Sequence, residues 1–236
     1  MQNVYEIAGV KIKINYKSPY IEKAYSDYYF GGDDFDAEVS VTDDEILFEQ
    51  SLLSGLAEPQ YENLALFRKI AGVMLESFNA LVFHSSAISY NGSGVLVAAK
   101  SGTGKSTLNG RITKIAAEKA EYINDDKPII RLIDGKWFVY GTPWMGKHRL
   151  GKNTKSPLKA IILLSRGENK AVKISGLDAL KELFTQTVRA KTAAQADTEI
   201  KLFESLIKNV NFFRYSCVND DSAAFCAIEN ILENLQ

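Results

Sequence analysis

The spacing of hydrophobic and polar residues changes period several times along the chain, and each change marks an element. Over residues 4–16 the two kinds alternate, with Val10, Ile12 and Ile14 set against Lys11 and Lys13. That is the period of a half-buried strand. FDAEVSV repeats it at Phe35, Ala37, Val39 and Val41. Gly31-Gly32 and the acidic cluster of Asp33, Asp34, Asp43 and Asp44 read mostly as turns carrying solvated charge. Residues 1–58 are therefore expected to form a small β-rich N-terminal subdomain ahead of a larger core over residues 59–236.

The period becomes helical over residues 59–79, where Leu64, Phe67, Ala71, Met74, Leu75 and Phe78 share one face. LVFHSSAISY and GVLVAAK follow as apolar strands joined by Asn91-Gly92, a hairpin turn whose two residues both tolerate positive φ. STLNGRITKIAAEKA places Leu108, Ile112, Ile115 and Ala116 at helical spacing, with Gly110 a weak point. A short strand EYIN, a hairpin around Asp134-Gly135, and the runs LKAIILLSR and KAVKIS bring the strands of this half to about seven. The remainder reads as helical: residues 177–189, residues 192–208, and a last amphipathic helix carrying Ala224, Ile228, Ile231, Leu232 and Leu235, capped by Asp221 or Ser222.

Composition narrows the class. At 236 residues, 46% hydrophobic and 11% aromatic, the chain can bury a core of its own. Its 28 basic and 29 acidic residues are well mixed and offer no basic face to nucleic acid or to an anionic membrane. The expected partners are small molecules or a protein. The N-terminus has no apolar signal core, and no run reaches the length of a membrane span, so a cytoplasmic location is expected. Cys217 and Cys226 lack metal-ligand spacing and read as reduced, buried thiols.

Chemistry concentrates at AAKSGTGKST. From Gly102 onward it follows the phosphate-loop pattern G-x-x-x-x-G-K-[ST], but Ala99 stands where the pattern begins with glycine. A strand precedes it and a helix follows. That arrangement aims backbone N–H groups and a helix N-terminus at an anion. Ser101, Gly102, Thr103, Gly104, Lys105, Ser106 and Thr107 are the candidate nucleotide-binding residues; Lys105 can reach the β- and γ-phosphates and Ser106 can ligate Mg²⁺. Ala99 costs little if it keeps an extended conformation.

Asp125-Asp126 ends a short strand, and neighbours on an extended backbone point in opposite directions. One carboxylate can face a metal while the other faces a hydroxyl; the plainer reading is a polar strand end before Pro128. His84 sits in an otherwise apolar strand and by itself reads as a half-buried structural histidine, while His148 reads as exposed. In GTPWMGKHR, Lys147 and Arg149 either neutralise charge on a transferring phosphoryl group or stand in solvent while Trp144 packs beneath the sheet. Tyr25, Tyr28, Tyr29 and Phe30 read as packing or interface residues.

FHSSAISYNGSGVLVAAKSGTGKSTL, INDDKPII and GTPW-x-GK, spanning roughly residues 80–165, resemble the HPr serine kinase superfamily, whose core is related to ATP-dependent phosphoenolpyruvate carboxykinases. The resemblance implies an α/β fold with a mixed sheet and a carboxykinase-like phosphate-loop core. It also implies ATP and Mg²⁺ as cofactors and a hydroxyl-bearing acceptor, in some relatives a serine on a peptide. By the same resemblance Asp125 is the base, Asp126 holds Mg²⁺ with Ser106, and His84 lies beside the phosphates or the first aspartate. The family's symmetric oligomers make a homo-oligomer an expectation. Ala99 and Lys100 depart from the family's loop, and GTPWMGKHRLGKN stands where genuine HPr kinases carry a glycine-rich signature, so HPr itself is not the expected acceptor. Two alternatives stay open: an ATP-binding regulatory or scaffold protein without turnover, and a carboxykinase-type lyase.

Overall fold

The computed structural model describes residues 1–235. The first alternating run is two strands, β1 (Gln2–Ile7) and β2 (Val10–Asn15), paired antiparallel. The alternation passes through a two-residue turn at Ala8 (φ +52°) and Gly9 (φ +70°), a conformation whose twist suits a tight hairpin. An alanine there hid the turn. β3 (Ala37–Ser40) lies parallel to β2 and completes a three-stranded sheet.

Two short helices interrupt this region, α1 (Pro19–Ala24) and α2 (Asp43–Leu52). Asp43 and Asp44, expected in a turn, form the first helical turn of α2. The Thr42 side chain accepts the Glu45 amide and Glu45 accepts the Thr42 amide, a reciprocal cap that favours acidic residues beside the helix's positive end. α3 (Glu58–Phe78) ends at Asn79, whose φ of +52° stops the helix. Its Leu66, Phe67, Ile70 and Met74 pack with Ile7, Ile12, Ile14 and Tyr25 into one continuous apolar core that also takes in Ile129, Tyr140 and Trp144.

The rest of the chain builds a curled mixed sheet of nine strands: β4 (Ala80–Val82), β5 (Ser85–Tyr90), β6 (Ser93–Ala98), β7 (Ala120–Asn124), β8 (Ile129–Ile133), β9 (Lys136–Tyr140), β10 (Lys155–Arg166), β11 (Lys170–Ile174) and β12 (Asn211–Cys217). β10 joins its two limbs. Lys155, Ser156 and Pro157 pair antiparallel with β9, and after a register shift at Leu158/Ala160 the strand runs parallel to β6 and β12. One limb continues through β9, β8 and β4; the other runs from β6 to β5 and β7.

Helices α4 (Lys105–Ile115), α5 (Gly176–Gln186), α6 (Ala193–Asn209) and α7 (Asp221–Asn230) cover both faces of the parallel part. Val95, Val97, Ala160 and Ile162 join the core of α4 and α7, whereas Leu96, Ala98, Ile161 and Leu163 join that of α5 and α6. Strands buried on both faces explain why GVLVAA and AIILL read as unbroken apolar runs.

The strand count exceeds the sequence expectation for two reasons. LVFHSSAISY breaks at Phe83-His84 into β4 and β5, which belong to different limbs. NFFRYSC, unassigned between two expected helices, is β12; its aromatic content suits a pleated sheet. Asp220, not Asp221 or Ser222, caps α7, and Ile231, Leu232 and Leu235 are buried beyond the helix end. No helix among the described residues is long and apolar enough to cross a membrane.

Candidate active site

Pairing within the sheet brings three chain segments to one edge. β6 runs into the phosphate-loop sequence there; β5 starts there, because Ser85 pairs with Ala98; β7 ends there, just before Asp125. The loop from Ala99 to Gly104 turns through Gly102 (φ +77°) and Gly104 (φ +115°) and delivers Lys105 as the first residue of α4. A β-carbon on either glycine would meet nothing within 4 Å, so backbone conformation, not crowding, requires them. No side chain caps α4, which leaves its first amides to other partners. Ala99 is not among the residues of positive φ.

Lys105 is 8% exposed, and its Nζ donates to the Ala99 carbonyl at 2.9 Å. Burial lowers its pKa; the negative charge of Asp126 opposes that shift and Lys127 adds to it. Ser106 Oγ donates to the Asp125 carbonyl at 3.2 Å, and the Tyr122 hydroxyl donates to the Ser106 carbonyl at 2.8 Å. Gly110, unfavourable in a helix, leaves room for that hydroxyl: a β-carbon there would stand 3.2 Å from it. The loop, the start of α4 and the end of β7 are thus bound together by polar contacts.

The two aspartates have different surroundings. Asp125 is 5% exposed, and its Oδ1 accepts the Gly146 amide at 2.7 Å. Asp126 lies between two basic side chains: Lys127 Nζ contacts its Oδ2, and His84 Nε2 lies 3.3 Å from its Oδ1. Burial pushes the Asp126 pKa up, but the hydrogen bonds and charges of His84 and Lys127 outweigh it and hold the carboxyl down at about 2. Asp126 is therefore an anion at neutral pH. His84, expected within a strand and beside the phosphates or the first aspartate, occupies the corner between β4 and β5 and pairs with the second aspartate. Its amide donates to the Gln186 carbonyl at 2.6 Å.

Asn124 organises the turn that presents both carboxylates. Its Oδ1 accepts the amides of Asp126 and Lys127, and its Nδ2 donates to the carbonyl and hydroxyl of Thr142. The segment from Gly141 to Gly151 then runs along β7. Gly151 bridges to Asn124, the Lys152 amide reaches Ile123, and a β-carbon on Gly141 would overlap the Lys152 carbonyl. Trp144 anchors this segment. It is buried, it packs edge-on against Phe67, and its Nε1 donates to the Tyr25 hydroxyl at 2.8 Å.

Of the expected site residues, His84, Lys105, Ser106, Asp125 and Asp126 therefore converge on one edge, with Ser101, Gly102, Thr103, Gly104 and Thr107 in the loop and first turn beside them. Lys147 and Arg149 follow Gly146, whose amide binds Asp125, and among the described residues their side chains make no hydrogen bond to this group. Both are exposed in the turn after Gly146, with no ion pair among the described residues, and Arg149 has φ of +48°. Tyr25 and Tyr28 are buried, whereas Tyr29 and Phe30 are exposed. Cys217 and Cys226 are free thiols, half-buried instead of fully buried.

Sequence reasoning missed Lys127, Arg166, Asn124 and Gly146. Lys127 follows the aspartates directly, and N-D-D-K-P carries the signature of a side-chain-capped turn. Arg166 Nη2 donates to the Gly102 carbonyl at 2.6 Å from the end of β10, a contact between residues 64 apart in sequence with no local signal.

The residues fit a hard divalent cation. An ionised carboxylate and a hydroxyl at the loop suit Mg²⁺, which takes one or two carboxylates together with substrate phosphates. No cage of three or more His, Cys, Asp or Glu side chains occurs among the described residues.

Fold and site together define a mixed α/β protein with a glycine-rich loop opening a helix beside two strand-end carboxylates. Among solved structures, the Hpr(Ser) kinase/phosphatase from Coxiella burnetii is similar to the chain at a TM-score of 0.39 and 10% identity, over 65% of this chain and 94% of that one. No family model and no curated protein matches.

Proposed function

We propose that the chain is an ATP-dependent kinase that transfers the γ-phosphoryl group to a serine-like hydroxyl on a peptide, protein or small molecule. The observation that carries this reading is the convergence of Lys105, Ser106, Asp125, Asp126 and His84 at the N-terminal end of α4.

In this reading the loop amides and the start of α4 take the phosphates, and Lys105 leaves the Ala99 carbonyl for a phosphate oxygen. Ser106 and ionised Asp126 would hold Mg²⁺, which would neutralise phosphate charge when bound. Asp125 accepts the acceptor's hydroxyl proton on Oδ2, its Oδ1 being fixed by the Gly146 amide. The hydroxyl oxygen bonds to the γ-phosphorus, the bond to the β-phosphate oxygen breaks, and ADP leaves. His84 and Lys127 keep Asp126 charged and oriented.

The test is phosphate transfer from ATP to hydroxyl-bearing peptides, with Asp125→Asn as the control: transfer by wild type and its loss in the variant support the reading. One observation favours a second reading, nucleotide binding without turnover. Asp125 is covered, with its amide-bound oxygen turned to Gly146, and a segment that stays closed would leave the base out of reach. ATP–Mg²⁺ binding without phosphate release or transfer, with any of the peptides, would decide for that alternative.

A further inference from the structure

One face of α3 is left open between α2 and the connection from α5 to α6. Ala65, Arg68, Gly72 and Glu76 recur there at helical spacing and floor a cleft of about 470 Å³. Phe48 and Glu49 of α2 wall one side, and Val188, Arg189, Lys191 and Gln195 wall the other. No lining residue belongs to the phosphate loop or to the corner that holds the aspartates. The volume falls within the ~300–1,000 Å³ typical of small-molecule sites.

Polar bonds hold the walls in place. Glu45 of α2 takes Lys69 Nζ at 2.9 and 3.0 Å. Across the floor, Gln195 Nε2 donates to Glu76 Oε2 at 3.1 Å, and the Gln195 side-chain carbonyl accepts the Lys191 amide at 2.9 Å. Gly72 permits that crossing, since a β-carbon there would stand 3.2 Å from Gln195 Nε2. Little ordering of the walls is left for a ligand to induce.

Each arginine of the cleft is oriented by a buried carboxylate. Arg189 meets Glu199, 2% exposed, through Nε and Nη2, both at 3.1 Å, which leaves Nη1 without an acceptor. Arg68 meets Glu49, 1% exposed, through Nε, and neither of its Nη atoms donates a hydrogen bond among the described residues. Lys191 has no ion pair among them. Guanidinium donors held in this way suit a carboxylate. Glu49 supplies the opposite need, because its Oε2 is buried with no hydrogen-bond partner. A buried acceptor left unsatisfied is costly, and a donor on a ligand relieves it. Four basic and four acidic side chains line the cleft, so its charge favours a ligand that carries both signs over a polyanion. Phe48, Val73 and Val188 add apolar surface between them.

We propose that this cleft binds an apolar α-amino acid: the carboxylate takes the free donors of Arg68, Arg189 and Lys191, the ammonium donates to Glu49, and the side chain packs on Phe48, Val73 and Val188. Glu49 Oε2 is closed to solvent, so the ammonium reaches it as the Arg68 side chain, 38% exposed, turns outward to the carboxylate. The proposal does not depend on the kinase reading.

The test is calorimetric titration of the full-length protein with L-leucine, L-isoleucine, L-valine, L-methionine and L-phenylalanine, each to about 10 mM, and at least one is expected to bind with a Kd of about 1 mM or tighter. The N-acetyl form of that amino acid lacks the ammonium and its amide lacks the carboxylate; each is expected to bind more weakly by about tenfold or more. Glu49→Gln keeps the side chain's shape and an acceptor for Arg68, and is expected to weaken the amino acid by about tenfold, with its urea midpoint showing that the variant is folded. Binding by none of the five, equal affinity for either blocked form, or undiminished affinity in folded Glu49→Gln overturns the site. The blocked forms are titrated into wild type, so they decide the matter even where Glu49→Gln does not fold.

Discussion

Lys105 Nζ and the carbonyl of Ala99 are joined by a 2.9 Å hydrogen bond, so the loop's cation rests on the residue that replaces the pattern's first glycine. Ala99 contributes its backbone oxygen, and nothing in its conformation calls for glycine.

Ala99→Gly is therefore expected to leave ATP affinity unchanged within about twofold, while lowering stability by about 0.5–1 kcal/mol through the added freedom of the unfolded chain. Lys105→Met is expected to weaken ATP by about tenfold or more, since a charge-assisted contact to phosphate is lost. Calorimetric titration and urea denaturation measure the two effects. Clear tightening in Ala99→Gly would show that position 99 is strained.

Gly146→Ala places a methyl group 2.9 Å from Asp125 Oδ2, which forces the carboxylate or the segment to shift. Nucleotide affinity is expected to stay within about threefold of wild type, while kcat falls by about tenfold or more because the base is displaced. Equal loss in kcat and in ATP binding would place Gly146 in the nucleotide site instead.

Asp126→Asn tests the grip of His84 and Lys127. The folded pKa of about 2 lies below the ordinary 3.8, so ionised Asp126 contributes stability that is complete above the unfolded value and is lost as pH falls through the folded one. The shift corresponds to about 2 kcal/mol. Denaturant unfolding is expected to show the variant less stable by about that amount at neutral pH, with the gap closing between about pH 4 and pH 2. A gap independent of pH would contradict the ion-pair assignment.

Trp144→Phe keeps the buried ring but removes the donor to Tyr25, whose hydroxyl still donates to Asn63 at 2.9 Å. The expected cost is about 1 kcal/mol in urea denaturation. Hydrogen exchange at the Gly146 amide should quicken, because Trp144 anchors the segment that carries it; unchanged exchange would uncouple the two.

Much of this site was legible because its signals are local. The glycines of the loop, the strand before it and the amphipathic face of α4 all lie within one short stretch, and Asn91-Gly92 and Asp134-Gly135 announce their hairpins by residue type. What escaped depends on distant partners. Nothing near His84 marks the corner where one apolar run divides between two limbs of the sheet, and nothing near Arg166 points to Gly102. The cap of α2 was legible in Thr42 and Glu45, but Asp43 and Asp44 read equally well as turn residues. In NFFRYSC two adjacent buried aromatics blur the alternation of a strand, since Phe212 and Phe213 face opposite covered sides of the sheet.

The measurement that bears most directly on the proposed kinase is transfer of labelled γ-phosphate from ATP–Mg²⁺ to serine-containing peptides, run in parallel with wild type and Asp125→Asn at matched nucleotide occupancy. The expected result is phosphoserine and ADP in equal amounts with wild type, and a rate lower by at least about a hundredfold in the variant, which still binds ATP. Equal transfer by both proteins, or ATP binding by wild type with neither transfer nor hydrolysis, would contradict it.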